Sequence, residues 1–291
     1  MSETALPSVG TGRQAVDVRG ASLRAVYIIW YRDILRYWRD RWRLVASLAQ
    51  PLLFLIIFGT GLSSSLRGGS SFSTGSGLSY VQFMYPGIIG MAIIFTSIFG
   101  AMSIVWDREF GFLREVLVAP INRAAVAIGK TLGGTTQAMI QGLIILVLAP
   151  FIGVKLTPLV VLQIIPLTFF LAFALSALGV MVASAMPTMQ GFQVVINFLV
   201  MPMFFLSGAL FPLRGLPGWM TVLTHIDPAA YGIDPLRKVV LLGSGMPAPF
   251  VNALSLTLFG QPLAIPIEEL IMLALGAVLL AFAIRNFQIH D

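Results

Sequence analysis

Long stretches without a charged side chain constrain this chain more than any other feature. Residues 68–106, 131–154 and 156–213 contain no Asp, Glu, Lys or Arg. A water-soluble domain carries about 25% charged residues, whereas this chain carries 10%, with a mean hydropathy of +0.91. Runs of about 20 apolar residues are long enough to cross a bilayer as helices. The composition therefore predicts an all-α, multi-pass integral membrane protein.

The apolar runs predict six transmembrane helices. We place them at about residues 44–62, 82–105, 126–151, 159–185, 192–213 and 267–284. Gln50 and Pro51 predict a break or kink in the first span, because proline lacks a backbone donor. Residues 214–265 hold six prolines and no uninterrupted apolar helix, so we expect re-entrant half-helices at the outer surface before the last span. The membrane domain then covers residues 44–285.

The N-terminal part is basic and differs from the spans. Residues 1–21 lack periodicity and are predicted to be a flexible cytoplasmic tail. Residues 22–43 predict an amphipathic helix with arginines, including Arg32, Arg36 and Arg39, on one side. Its apolar side is formed by Leu23, Val26, Tyr27, Trp30, Ile34, Tyr37 and Trp38. Such a helix lies in the membrane interface. It either only follows the positive-inside rule or also contacts a cytoplasmic partner.

A segment with both charge signs, residues 106–123, lies between the second and third predicted spans. Its position indicates a short helix at the cytoplasmic membrane surface. Basic residues are concentrated on the side of the N-terminus, which predicts that both termini are cytoplasmic. Lys130 falls near the cytoplasmic end of the third span, where its side chain is expected to reach the lipid headgroups. The basic residues precede a span, so they indicate anionic lipid rather than nucleic acid as a partner.

The chain offers little enzymatic chemistry. It has no cysteine and only two histidines, which are far apart, so no metal site is expected. Residues 128–131 resemble the end of a phosphate-binding loop, but Ala124 occupies the position where the first glycine is needed. Paired catalytic carboxylates and a nucleophile elbow are also missing. We therefore predict that the chain is not an enzyme and binds no cofactor itself.

Polar uncharged residues recur in the fifth span. Gln190, Gln193 and Asn197 are spaced i, i+3, i+7, which places them on one helix face. They serve either for hydrogen bonds between helices or as the lining of a passage or of a seam between subunits.

Two segments resemble a known family. The first runs from Asp107-Arg108-Glu109 through Gly111-Phe112-Leu113-Arg114-Glu115 to Leu117-Val118-Ala119-Pro120. It resembles the signature of the ABC type-2 export permeases, especially of their daunorubicin-resistance branch. The second, residues 227–237, is similar to the family stretch Asn-Pro-Leu-Thr-Tyr-x-x-Asp-x-Leu-Arg. It departs from that pattern at Asp227, in place of Asn, and at Pro235. The resemblance covers nearly the whole chain.

The resemblance implies a six-span permease that pairs with a second copy or a paralogue. Two ATPase subunits on separate chains would bind ATP and Mg and complete the pump. Residues 106–123 would be the coupling helix, and residues 22–43 the connecting helix beside it. The coupling contacts would come from Arg108, Glu109, Phe110, Gly111, Phe112, Leu113, Arg114, Glu115, Leu117 and Pro120. An outer gate would contain Asp227, Pro228, Tyr231 and Arg237.

The expected function is therefore export across the bacterial inner membrane. The substrate would be an amphipathic drug, an antibiotic or a lipid-like molecule, taken from the cytoplasm or the inner leaflet. The alternatives are a permease for a lipid-linked glycan and, from other classes, a non-transporting membrane scaffold or a secondary carrier.

Overall fold

A computed structural model describes residues 18–67, 80–110, 122–154, 156–213, 215–258 and 260–290. Residues 1–17 of the predicted tail and residues 68–79 lie outside these ranges. The prediction of a tail over 1–21 is wrong at its end, since α1 begins at Val18. The helices are α1 Val18–Arg39, α2 Arg41–Arg67, α3 Tyr80–Gly100, α4 Met102–Glu109, α5 Arg123–Leu146, α6 Pro158–Ala185, α7 Met189–Leu206, α8 Gly218–Ile226, α9 Pro228–Gly243, α10 Ala248–Leu254 and α11 Ile265–His290. A 3-10 turn covers Ala149–Ile152, and the strands Thr257–Leu258 and Gln261–Pro262 form a short antiparallel pair.

The first two helices are separated by a sharp bend. The helix predicted over 22–43 ends at Arg39, and the axes of α1 and α2 differ by 70°. Of the predicted break or kink at Gln50 and Pro51, the break is wrong, since α2 continues through Pro51. A proline inside a helix removes one backbone bond, which a long helix tolerates.

Four helical segments of the described residues are long and apolar enough to cross a membrane: Tyr80–Glu109, Pro158–Ala185, Met189–Leu206 and Ile265–Gln288. Counting the bent pair α1–α2 as one span gives a fifth. The predicted third span corresponds to α5, which is less apolar than these segments and is not counted among them. Its polar residues Lys130, Thr131, Thr135, Gln137 and Gln141 are buried inside the protein. A helix enclosed by α1, α3 and α6 does not need an apolar surface toward lipid.

Helix α3 is the centre of the packing. It contacts α2, α5, α6 and α9, and its residues 83–94 are buried on every side. The hydroxyl of Tyr80 donates to the Leu210 carbonyl at 2.8 Å, and that of Tyr85 donates to the Ile145 carbonyl at 2.6 Å. These bonds satisfy polar groups that the apolar interior would otherwise leave unpaired.

The outer region consists of α8, α9, α10 and the strand pair. These elements are short, as expected for 214–265, and α9 packs against α3, α6 and α11. Helix α9 also continues through Pro235, one of the two departures from the family pattern.

Candidate functional site

Helix α1 approaches α5 closely through glycines of α5. A Cβ atom on Gly129 would lie 3.0 Å from Ile29, and one on Gly133 would lie 3.2 Å from the Asp33 Cβ. Two small residues four positions apart allow two helix backbones to come together in this way. The contacting face of α1 contains Ala25, Ile29, Asp33 and Tyr37, which are buried at a spacing of four residues.

This buried face differs from the apolar face predicted for residues 22–43. Leu23, Tyr27 and Trp38 of the predicted face are more than half exposed, whereas Asp33 is buried. The prediction placed the aromatic face in the membrane interface, so these exposed side chains do not contradict it; it did not identify the residues that pack against α5. In a protein that contacts lipid, exposed aromatic side chains have a favourable environment at the membrane interface.

Four charged residues meet where α1, α4 and α5 converge, and we call Arg32, Asp33, Asp107 and Lys130 the inner charge cluster. The Lys130 ammonium lies 3.3 Å from the Asp33 carboxylate and 3.2 Å from Asp107 Oδ2. Arg32 also reaches Asp107 Oδ2, at 3.3 Å. Lys130 donates a further bond to the Ser103 hydroxyl at 2.9 Å. Two cations and two carboxylates balance each other, as buried charges require.

The position of Lys130 corrects its sequence interpretation. Its side chain does not extend to the headgroups; only 5% of its surface is exposed, and it points into the protein. The burial of Asp33 was not predicted. The spacing of Ala25, Ile29, Asp33 and Tyr37 is the signal that would have identified it.

Helix α4 is connected to the turn between α6 and α7 by Arg108 and Glu109. Arg108 donates to the carbonyls of Ser184 and Met186, at 3.1 and 3.0 Å, where α6 ends. Glu109 accepts a bond from the Met189 backbone amide at 3.1 Å, where α7 begins. The helix dipole stabilises a cation at a helix C-terminus and an anion at a helix N-terminus, so both contacts are favourable.

The end of α4 is open. Phe110 is 77% exposed, and Trp106 lies under the Arg36 guanidinium at 5.8 Å from its ring centroid. The rest of the predicted coupling segment, residues 111–121, lies outside the described residues. This range contains the predicted contact residues Gly111, Phe112, Leu113, Arg114, Glu115, Leu117 and Pro120.

The three predicted arginines of the interface helix lie on one side of α1. Arg32, Arg36 and Arg39 line an open groove of about 590 Å³ together with Asp40. Arg32 belongs to the inner charge cluster, whereas Arg36 and Arg39 are exposed. The groove is a basic surface next to the exposed end of α4.

Three of the four predicted outer gate residues, Asp227, Pro228 and Tyr231, lie near the start of α9, whereas Arg237 lies further along the helix. Asp227 is the N-cap of this helix and accepts a bond from the Ala229 amide at 2.9 Å, and Pro228 occupies the first turn. The Tyr231 hydroxyl donates to the His225 carbonyl at 2.9 Å, which connects α9 to the end of α8. Burial raises the pKa of Asp227 to about 8, although the bond from Ala229 opposes the shift.

A second buried network, which we call the outer charge cluster, contains Asp234, Arg237, Lys238 and Glu268. Lys238 lies 2.8 Å from both carboxylates, and it also donates to the Leu263 carbonyl at 2.7 Å. Arg237 donates to the Gly208 carbonyl, and its guanidinium lies 4.7 Å from the centre of the Phe83 ring. The cluster joins α9 to α3 and α11. Of these four residues, only Arg237 was predicted as a site residue.

The predicted polar face of α7 is exposed. Gln190, Gln193 and Asn197 lie on the open side of this helix, and Phe192, Ile196 and Val200 face the interior. The three residues therefore do not form hydrogen bonds that join α7 to the described helices. The amide of Asn197 borders a cavity that also reaches α2 and α3.

Comparison with known proteins agrees with this architecture. Residues 24–241 match the family model described as ABC-2 type transporter. The chain is 30% identical over 220 residues to the putative transport permease ycf38 of Cyanophora paradoxa, covering 74% of this chain and 73% of that protein. It is 28% identical over 223 residues to nodulation protein J of Rhizobium meliloti, covering 73% and 80%. It is also 28% identical over 221 residues to the inner membrane transport permease YadH of Escherichia coli K12, covering 73% and 81%.

Proposed function

This chain belongs to the ABC-2 type transporter family, and we propose that it is the membrane permease of an ATP-driven exporter whose ATPase subunits are separate chains. As a transport permease it is not itself an enzyme, like its relatives. Permeases of this family generally work with ABC ATPase subunits. Two such subunits, binding ATP and Mg, would supply the energy.

The observation that carries this proposal is the set of polar bonds around α4. Asp107 bonds to α1 and α5, Arg108 to the end of α6, and Glu109 to the beginning of α7. Bonds to charged groups contribute about 1.5–3 kcal/mol each. Moving α4 independently of its neighbours would break several of them. A displacement of α4 would therefore move the four neighbouring helices with it.

The proposed mechanism follows from this connection. An ATPase subunit would bind the segment directly after α4, residues 111–121, beside the basic groove on α1. When ATP draws two ATPase subunits together, α4 would be displaced and the connected helices would rotate as a rigid body. The movement would reach the outer region through α3, which packs against α9.

A second permease copy is proposed to cover the open face of α7. Amide side chains facing hydrocarbon are unfavourable, and Gln190, Gln193 and Asn197 all lie on this face. Exposed apolar residues such as Phe198 and Met201 accompany them. A face with this mixture suits a contact between copies or a passage between them better than it suits lipid.

The proposed substrate is an amphipathic drug, an antibiotic or a lipid-like molecule, moved outward across a bacterial inner membrane. Both termini would be cytoplasmic, because the arginine-rich α1 and the charged α4 lie at the same end of the bundle. A lipid-linked glycan is the alternative substrate, so the transport assay has to include one.

Co-purification and vesicle transport test the proposal. We expect a separate ATPase to purify with the permease and to drive ATP-dependent uptake into inverted vesicles. Arg108→Gln should abolish uptake while the ATPase remains bound, because α4 would lose its bond to α6. Arg24→Gln, an exposed arginine on α1, is the matched control and should retain uptake.

Two outcomes contradict the proposal. Uptake that does not require ATP would favour a secondary carrier. A stable complex without an ATPase and without uptake of drugs, lipids or lipid-linked glycans would favour the scaffold.

A further inference from the structure

Two arginines flank the connection between α4 and α5, and each of them caps the end of a different helix. Arg108, near the end of α4, donates to the Ser184 carbonyl where α6 ends. Arg123, the first residue of α5, donates to the carbonyls of Phe287 at 3.2 Å and Gln288 at 3.1 Å, in the last turn of α11. The last carbonyls of a helix have no donor within it, and the helix dipole favours a cation at this place. Both arginines therefore satisfy acceptors that α6 and α11 leave open.

The two capped helix ends are also bonded to each other. The side-chain amide of Asn286 on α11 donates to the Ser184 hydroxyl at 3.2 Å, and that hydroxyl donates to the Met181 carbonyl at 2.6 Å. Ser184 is fully buried, and its backbone carbonyl is the one that Arg108 contacts. A continuous chain of hydrogen bonds therefore runs from Arg108 through Ser184 to the last turn of α11, which Arg123 holds. We call Arg108, Arg123, Ser184 and Asn286 the inner clamp.

Helices α6 and α11 are packed tightly beyond the inner clamp. They form the most extensive helix–helix contact among the described residues. A Cβ atom on Gly276 of α11 would lie 2.7 Å from the Phe173 ring and 3.1 Å from the Cα of Ala174, both on α6. Such a close approach leaves little room for one helix to slide past the other. The packing and the inner clamp together make α6 and α11 a single unit.

Helix α11 connects the inner clamp to the outer charge cluster. Glu268 in its first turn is fully buried and lies 2.8 Å from Lys238 of α9, whereas Phe287 in its last turn is held by Arg123. Glu268 and Phe287 are separated by about 29 Å along the helix. No proline lies between them, and proline is a main cause of sharp helix kinks. A displacement of one end of α11 should therefore reach the other end.

We propose that Arg123 and Asn286 are positioning residues for transport. They fix the last span to both ends of the connection between α4 and α5, so that a displacement of this connection moves α11 and, through Glu268, the outer charge cluster. The inference rests on the proposed function, in which an ATPase subunit binds this connection. The polar bonds of α4 lead to α1, α5, α6 and α7, and Arg123 adds α11 to them.

The first experiment measures how firmly Arg123 holds α11, in the full chain without an ATPase. Ala283→Cys introduces a thiol one turn before Phe287, at a fully buried position of a chain that has no other cysteine. In this background, Arg123→Gln should speed maleimide alkylation in lipid nanodiscs about ten- to hundredfold, because opening of the helix end no longer breaks bonds to a charged group. Arg285→Gln removes an exposed arginine from the same helix end and should leave the alkylation rate unchanged.

The second experiment measures whether ATP acts on the outer region through α11. Ser255→Cys replaces a buried hydroxyl by a thiol, one residue before Leu256, whose amide donates to Asp234 of the outer charge cluster at 3.0 Å. The permease is purified with its ATPase, and ATP with Mg²⁺ should speed alkylation of this thiol. Arg123→Gln should lose the response to ATP while hydrolysis continues. Arg123→Lys should retain it, since an ammonium also donates to the last carbonyls of a helix.

A role in helix capping alone predicts a different pattern. Arg123→Gln would then lower the melting temperature but keep the ATP response of Ser255→Cys, and this result would overturn the proposal. Equal alkylation of Ala283→Cys with Arg123→Gln and with Arg285→Gln would overturn it as well. If Arg123→Gln does not fold, Asn286→Leu replaces it in both experiments, because it removes the bond to the Ser184 hydroxyl and leaves Arg123 in place.

Uptake of an NBD-labelled phosphatidylcholine into inverted vesicles separates this inference from the proposed function. ATP-dependent uptake that persists in Arg123→Gln, with an unchanged ATP response at Ser255→Cys, leaves the export function intact and refutes the route through α11. A natural chain that neither binds an ATPase nor exports refutes the proposed function and the route together. In that case the alkylation of Ala283→Cys alone decides whether Arg123 holds the end of α11.

Discussion

Lys130 on α5 and Asp107 on α4 form a buried ion pair, with 3.2 Å between Nζ and Oδ2. The same ammonium contacts Asp33 on α1, so one lysine joins three helices that are separated in the chain. A buried cation between two carboxylates is strongly held, because removing it leaves the two acids with only the half-exposed Arg32 as a counter-ion.

Replacing this lysine is therefore expected to be severe. Lys130→Met should reduce the free energy of unfolding by about 3–5 kcal/mol, because Asp33 and Asp107 would face each other without a buried cation. The melting temperature from a size-exclusion thermostability assay measures the effect. Arg39→Met, which changes an exposed arginine at the same end of the molecule, should alter stability by less than about 0.5 kcal/mol. Equal melting temperatures for the two variants would refute the importance of the inner charge cluster.

The buried N-cap of α9 predicts a pH dependence. Burial raises the pKa of Asp227 from its ordinary 3.8 to about 8. The folded state therefore holds a proton that the unfolded chain releases between these values, and the free energy of unfolding contributed by this group falls as the pH rises through that window. Above the folded-state pKa the contribution is lost.

Asp227→Asn tests this dependence. Asparagine keeps the capping acceptor for the Ala229 amide and cannot ionise. We expect the stability of the variant relative to the natural protein to be greater near pH 9 than near pH 5 by about 1–3 kcal/mol, which is the usual penalty for an unsatisfied buried group. If the melting temperatures of the variant and the natural protein differ by the same amount at both pH values, the pKa of the Asp227 carboxyl is not raised in the folded state.

Close packing between α3 and the segment after α7 is also testable. A Cβ atom on Gly87 would lie 2.5 Å from the Cα of Ala209 and 2.8 Å from its carbonyl carbon. Gly87→Ala should destabilise the protein by about 1–3 kcal/mol, because backbone rather than a flexible side chain has to move. Gly61→Ala, at a helical glycine with open space around it, should be neutral or slightly stabilising. Thermal unfolding of the two variants makes the comparison.

The open face of α7 predicts where two copies meet. Phe198 is 82% exposed on this face. Phe198→Cys in otherwise natural, cysteine-free protein should form a disulfide-linked dimer under mild oxidation in membranes. Leu270→Cys, exposed on α11, should remain monomeric on a non-reducing gel. Cross-linking through α11 but not through α7 would place the contact on a different helix.

Much of this fold was predictable from local pattern. The charge-free runs located α3, α6 and α7, and the apolar run at about 267–284 located α11, because apolar side chains are stable in contact with lipid. The prolines of 214–265 predicted short helices, since proline cannot continue a hydrogen-bonded backbone ladder. The rule that proline ends a helix failed at Pro51 and Pro235. Helices α2 and α9 continue through these residues and tolerate the missing backbone hydrogen bond. Helix α5 was predicted as the third span, and its polar residues are tolerated there because they are enclosed by protein.

The sequence by itself determined that this is a helical membrane protein, because composition and the order of its apolar and charged segments express the solvent that each segment meets. Only the tertiary structure decided which charges pair. Asp33 and Lys130 are far apart in the chain, as are Lys238 and Glu268, yet each pair is in contact. The energy of a buried charge depends on the partner that another helix brings within a few ångströms, and no local periodicity contains that distance.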